Sequence, residues 1–313
     1  MNDRKIAFVF PGQGSQAVGM GKALAQVYPA ARQVFEQADE ILGFPLTHIA
    51  WEGPEECLND TINTQPALFV HSIAALQVLR NSNYDLVPAY VAGHSMGELS
   101  ALVAAGVLSF RDGLRLVRVR GELMKRAGEL SPGGMAAVLG LNIDQIDQLC
   151  REASSDTEIV QVANDNCPGQ VVVSGKNAAL ERLIPLLEQA GARRVLRLAV
   201  SIAAHSPYMA TSQEDFNKAI ASSTFQPAFI PVIGNVTATP LVNTESIRDD
   251  LQNQLTHRVR WAASISYLLS QGVTDFFEIG TGTVLCGLIK RIDRMAVARP
   301  LGTPEDFNHL DQQ

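Results

Sequence analysis

The run Gly93-His94-Ser95-Met96-Gly97 constrains this chain more than any other. It follows Tyr90-Val91-Ala92, a short strand candidate, and precedes a helical pattern from Glu98 to about Val107. Gly-x-Ser-x-Gly between a strand and a helix is the nucleophile-elbow pattern. A serine that projects its hydroxyl from a sheet edge needs a sharp turn. Flanking glycines give that turn room and let strand and helix pack closely. The helix start also brings backbone N–H groups and a positive dipole end to the reacting centre. The bland alternative is a glycine-lined turn with a capping serine.

The surrounding pattern is α/β. Lys5 to Phe10 is a short apolar run ending at Pro11-Gly12, which reads as a buried strand and then a loop. Alternating strands and helices of this kind predict a mostly parallel central sheet. The middle of the chain differs. Met135–Leu139 reads as a strand and Ile143–Ala153 as a helix. Ile159–Ala163 and Gln170–Ser174 read as strands joined by an Asn-Asp-Asn-Cys-Pro-Gly turn. Asn177–Ala190 reads as a helix and Arg194–Leu198 as a strand. The order β-α-β-β-α-β is the ferredoxin-like arrangement. The expected organisation is a large catalytic domain over 1–130 and 200–313, with a small subdomain inserted over 131–199.

Composition excludes several functions. With 313 residues and 46% hydrophobic content, the chain can bury a large core. Its net charge is −7, and no broad basic surface is visible for nucleic acid. No apolar stretch reaches the about 18 to 20 residues that span a bilayer. Cys57, Cys150, Cys167 and Cys286 are far apart and form no CxxC pair, so neither a metal site nor a disulfide framework is expected. Gly12-Gln13-Gly14 lacks the spacing of a phosphate-binding loop.

A serine nucleophile needs a base. His48, His71 and His309 lie in ordinary helix or tail patterns, His94 is inside the elbow, and His257 sits in a polar stretch. His205 follows Leu198-Ala199-Val200 and precedes Ser206-Pro207, which puts it at the end of an expected strand. That makes it the leading candidate. On helical spacing alone, Arg115 and Arg118 read as a solvated face, and nothing sets Arg120 apart from them.

Several motifs occur in a telling order: Phe10-Pro11-Gly12-Gln13-Gly14-Ser15-Gln16, Thr64-Gln65-Pro66-Ala67, Gly93-His94-Ser95-Met96-Gly97-Glu98, Arg120-Gly121, Asn166-Cys167-Pro168-Gly169-Gln170 and His205-Ser206. The chain resembles the malonyl-CoA:acyl carrier protein transacylases from about Ile6 to Arg291. The resemblance implies a hydrolase-like α/β domain with a ferredoxin-like insert. It implies Ser95 as nucleophile and His205 as base, with the backbone carbonyl of Gln254 orienting His205 in place of a carboxylate. It implies the N–H groups of Gln13 and Met96 as oxyanion hole. It implies Arg120 as the cation that holds a malonyl carboxylate, with Gln65, Asn166 and Ala204 at the substrate. A guanidinium suits that task because it grips a carboxylate through two parallel charge-assisted bonds.

The implied reaction moves a malonyl group from malonyl-CoA to acyl carrier protein through a malonyl-serine ester, for fatty-acid or polyketide synthesis. The coenzyme A thioester and phosphopantetheine are substrates, so no resident cofactor or metal is implied. A cytoplasmic monomer is expected, with no nucleic-acid or membrane partner. Carrier proteins are acidic, so Lys125-Arg126 and Lys290-Arg291 with Arg294 are candidate docking patches. The alternative activity is a serine hydrolase acting on carrier-protein or coenzyme A thioesters; Arg120 discriminates, since a general hydrolase needs no buried cation.

The chain departs from the family pattern in places. Met96 stands where leucine is usual, with no effect on its N–H. Ala204 stands where relatives carry serine or phenylalanine, which widens the expected acyl pocket toward methylmalonyl. Thr281 and Arg258 each replace a common proline.

Overall fold

The computed structural model describes residues 5–82, 84 and 86–310. Its strands are β1 (Lys5–Phe10), β2 (Tyr90–Gly93), β3 (Gly134–Leu139), β4 (Val160–Cys167), β5 (Gln170–Gly175), β6 (Arg194–Arg197), β7 (Val232–Ile233), β8 (Pro240–Leu241), β9 (Val273–Ile279) and β10 (Val297–Leu301). They form two sheets, ordered β10-β9-β1-β2-β7-β8 and β4-β5-β3-β6.

In the first sheet every neighbouring pair is parallel except β7 with β8. A parallel strand covered on both faces favours a continuous apolar run. β1 meets that demand, since Ala7, Phe8, Val9 and Phe10 are all buried. Phe10 pairs with Gly93. The Pro11–Gly14 loop and the elbow therefore leave the same carboxyl edge, side by side. In open α/β sheets this edge is where sites form.

The elbow depends on missing side chains. A Cβ on Gly93 would lie 2.0 Å from the Gly97 carbonyl carbon, and one on Gly97 would lie 2.3 Å from Phe10 O. The Gly97–Ala104 helix, buried along its whole length, starts there and ends three residues before the expected point. Behind it the Thr61–Arg80 helix is buried nearly throughout, capped by Asp60. The Phe110–Leu130 helix, capped by Ser109, lies against that one. A Cβ on Gly121 would meet Thr61 O at 2.8 Å. That close approach brings Arg120 to Gln65.

The second sheet is antiparallel at every pair. With the helices Ile143–Ala153 and Asn177–Gln189 it forms the ferredoxin-like arrangement. β3 alternates buried and half-buried residues. Its inner side packs with Ile146, Cys150, Leu180, Leu183 and Leu187 into a separate core. The two parts are joined at the edge of β4, where Val259 N–H donates to Ala163 O (2.8 Å) and Asp165 N–H to Val259 O (2.9 Å).

Two expectations are corrected. The turn before β5 shrinks to Pro168-Gly169, because β4 runs through Asn164, Asp165 and Asn166 to Cys167. Ladder pairing overrides the poor strand propensity of these residues. Two register shifts absorb the misfit. β6 stops at Arg197, so His205 is not at a strand end. It lies on the loop that follows, at φ 56°.

Gly93→Ala should cost about 3 kcal/mol or more, since backbone rather than a movable side chain is in the way. Urea unfolding checks this; a midpoint equal to the parent's would contradict the close approach at the elbow.

Candidate active site

Ser95 is held at φ 52°, a left-handed conformation that side chains resist. Its Oγ lies 2.8 Å from His205 Nε2. His205 Nδ1 lies 2.9 Å from Gln254 O and 3.1 Å from His257 O. Carbonyl oxygens only accept, so Nδ1 carries the proton and donates. Nε2 is then the free acceptor, aimed at the serine hydroxyl. No carboxylate is needed to select this tautomer.

Arg120 completes the group. It is 1% exposed, and its Nη2 donates to Ser95 Oγ at 3.0 Å. Nη1 donates to Gln65 Oε1 (2.7 Å). Nε and Nη2 both donate to Gln254 Oε1 (3.2 and 2.9 Å). Two amide oxygens thus aim the guanidinium without neutralising it. Gln254 Nε2 donates onward to Ser95 O (3.1 Å) and to Glu98 Oε2.

Burial sets the protonation states. It lowers Arg120 to about 10, opposed by Glu98, so the group remains a cation at neutral pH. Burial, and then the Arg120 charge, push His205 down to about 3, against its bonds to the Gln254 and His257 carbonyls. The imidazole is therefore neutral and free to accept a proton. Burial and the neighbouring Asp250 raise Glu98 well above the usual carboxylate range.

These groups open into a cavity of about 490 Å³, lined by Gln13, His94, Ser95, Arg120, Asn166, Ala204 and His205. Leu198, Val200, Ile202 and Leu288 supply apolar wall. The volume suits a small-molecule site. Asn166 reaches it from β4, and His94 Nε2 donates to its Oδ1 at 2.8 Å. Gln13 lines the cavity beside the elbow, and its side chain accepts from Thr61 Oγ1. Met96 follows Ser95 at the helix start.

The sequence-based placement needs adjusting at two residues, Gln65 and Gln254. Gln65 is fully buried behind Arg120 and supports the cation; it is absent from the cavity wall. Arg120 is buried, apart from the exposed Arg115 and half-buried Arg118. Gln254 acts through its side chain as well as its carbonyl. Three contacts were missed: Glu98 beneath Gln254, the His257 carbonyl, and Gln161, whose Nε2 donates to His205 O at 2.9 Å. Glu98 was legible as the one charged residue of a short buried helix. The other two carry no sequence signal, since a backbone carbonyl belongs to every residue and Gln161 sits on an ordinary strand.

A serine activated by a carbonyl-anchored imidazole, facing a buried cation, marks an acyltransferase that takes anionic acyl groups. Known sequences and structures agree. Residues 7–302 match the acyl transferase domain family. The chain is 42% identical over 301 residues to the malonyl CoA-acyl carrier protein transacylase of Bacillus subtilis (strain 168), covering 96% of this chain and 94% of that protein. It is 43% identical over 302 residues to that of Staphylococcus aureus (strain MSSA476), covering 96% and 97%. The structure of the malonyl CoA-acyl carrier protein transacylase from Coxiella burnetii superposes with a TM-score of 0.95 at 36% identity, covering 99% and 97% of the two chains. A malonyl-transacylase in complex with a type II PKS acyl-carrier protein gives 0.94 at 39%, covering 99% and 100%. The chain belongs to the malonyl CoA-acyl carrier protein transacylase family.

Labelling of Ser95 by a neutral serine reagent should change little between pH 7 and pH 5, because His205 stays unprotonated there. Arg120→Ala removes a charge that depresses the imidazole, so the acid limb should move to higher pH. A limb near the ordinary imidazole value of about 6.5 in the unmodified protein would contradict the assignment.

Proposed function

We infer that this chain transfers a malonyl group from malonyl-CoA to the phosphopantetheine thiol of acyl carrier protein, through a malonyl ester of Ser95. The observation that carries this reading is the simultaneous contact of Ser95 Oγ with His205 Nε2 and Arg120 Nη2 inside one cavity.

The malonyl carboxylate takes the Arg120 guanidinium, replacing its contact with Ser95. His205 Nε2 accepts the hydroxyl proton as Oγ attacks the thioester carbonyl. The N–H groups of Gln13 and Met96 receive the oxyanion; one such donor contributes roughly 3 to 4 kcal/mol in well-studied enzymes. The tetrahedral intermediate collapses, the thiolate of coenzyme A leaves with the proton from His205, and the serine ester remains. The carrier-protein thiol then gives its proton to His205 and attacks the ester carbonyl; the acyl C–Oγ bond breaks and His205 returns the proton to Ser95 Oγ. The product supplies fatty-acid or polyketide synthesis. No step calls on a metal or a resident cofactor.

Arg120 also explains preference. An acetyl group leaves the buried cation without a counter-charge, whereas a malonyl carboxylate satisfies it. The reading implies a cytoplasmic monomer. Among the described residues no helix is long and apolar enough to cross a membrane.

For the carrier protein, the favoured surface is the helix Val284–Ile292 with its end at Lys290-Arg291. Leu285 and Leu288 of that helix line the cavity, and Arg291 bonds Gln170 at the rim. Lys125 and Arg126 are instead engaged by Asp60 and Asp215.

Intact mass after mixing with malonyl-CoA should show one malonyl adduct, lost in Ser95→Ala and transferred to carrier protein on its addition. Arg120→Ala should slow malonyl loading at least about tenfold while acetyl loading changes less. Free malonate released without transfer would favour hydrolysis. Lys290→Glu should raise the KM for carrier protein several-fold and leave that for malonyl-CoA unchanged; equal effects on both would dismiss this docking surface.

A further inference from the structure

One buried side chain behind the nucleophile takes no part in the chemistry above. Asn235 is 3% exposed and follows β7. Its Oδ1 accepts from Ser95 N–H at 2.8 Å, and its Nδ2 donates to Gly93 O at 2.7 Å. One amide therefore grips the chain on both sides of the bend.

The bend needs such a grip. Ser95 carries a side chain at φ 52°, where steric repulsion drives a residue back toward the common regions. Relaxation there would swing Oγ away from His205 Nε2. The Asn235 amide resists it by fixing the peptide groups before and after His94.

The grip has its own foundation. Asn235 N–H donates to Glu98 Oε1 (3.3 Å), and Asn235 O accepts from Arg260 N–H (2.9 Å). The next two residues are tied to Asp250, which accepts from Val236 N–H, Thr237 N–H and Thr237 Oγ1 at 3.2, 3.0 and 2.9 Å. A Cβ on Gly234 would lie 2.4 Å from Asp250 Oδ1, so the turn is pressed onto that carboxylate. Asn235 thus joins the strained elbow to a rigid part of the core. It also occupies the Ser95 N–H, which leaves the oxyanion to other donors.

We propose that Asn235 is a positioning residue: it holds the elbow in the conformation from which Ser95 reaches its base, and so sets the acylation rate without touching substrate. This rests on Ser95 as the nucleophile, and is independent of which acyl group is carried.

The test uses Asn235→Leu, which keeps the shape and removes both bonds, and Asn235→Ala, which adds no bulk. Ser95 labelling by phenylmethylsulfonyl fluoride and its acylation by malonyl-CoA should both slow tenfold or more in each variant. The Kd of malonyl-CoA, measured by calorimetry with Ser95→Ala present in every protein, should stay within twofold. That split separates positioning from general loosening of the site. Acylation within twofold of the parent, or an affinity lost in step with the rate, would overturn the proposal. If the parent is labelled by the sulfonyl fluoride but takes no malonyl group, the transacylase reading fails. The role of Asn235 is then judged on the labelling rate alone.

Discussion

A guanidinium shut away from water and held by two amide oxygens and the serine hydroxyl is the constraint around which this site is built. Removing a cation from water costs several kcal/mol unless a partner compensates. Arg120 has no carboxylate among its hydrogen-bond partners; Gln65 and Gln254 meet it instead. Glu98 lies one amide further away, and its own burial favours the neutral acid. The cation is therefore oriented but not quenched. Its cost is borne by the surrounding core, and the deficit is recovered when an anionic acyl group arrives. The depressed basicity of His205 follows partly from the same charge.

Gln254 makes this arrangement cooperative. Its carbonyl fixes the tautomer of the base, its amide oxygen receives the cation, and its amide nitrogen reaches the nucleophile's own carbonyl. Base, clamp and nucleophile are thereby referred to one residue at the end of the Thr244–Gln254 helix. In a serine triad an acidic side chain orients the imidazole. An acidic residue here would also pair with Arg120 and cancel the charge that recognises substrate. A backbone carbonyl orients the ring without that penalty.

The strand–elbow–helix unit was readable because its demands are local: an apolar run, two glycines and a helix start. Arg120 is legible in the helical period as well. Gly113, Val117, Arg120, Gly121 and Met124 share the buried stripe of their helix, whereas Arg115 and Arg118 do not. His205 was harder, since seven loop residues separate it from β6 and no periodicity governs a loop. The polar residues of β4 were misread because propensity describes an isolated strand. Pairing with β5, with its register shifts, overrides it and leaves Asn164 and Asn166 on the cavity wall. Asn235 gave no signal; its importance lies in meeting a bend distant in sequence. Thr281 and Arg258, which depart from the expected pattern, find partners too. Thr281 Oγ1 bonds His71 Nδ1 at 2.7 Å, and Arg258 pairs with Asp147 at 2.6 Å across the junction of the two sheets.

On the proposed reading, substrate charge does more than bind. Arg120 touches Ser95 Oγ, and its charge adds to burial in depressing His205. The hydrogen bond favours the alkoxide, whereas the field weakens the imidazole as a base. A carboxylate on the guanidinium offsets that field at the ring, so the base strengthens as the anionic acyl group settles. An acetyl group does not. Discrimination then enters twice, in affinity and in the basicity of the catalyst. The second effect operates only once the ester carbonyl is in place, where it acts on the barrier and not merely on occupancy.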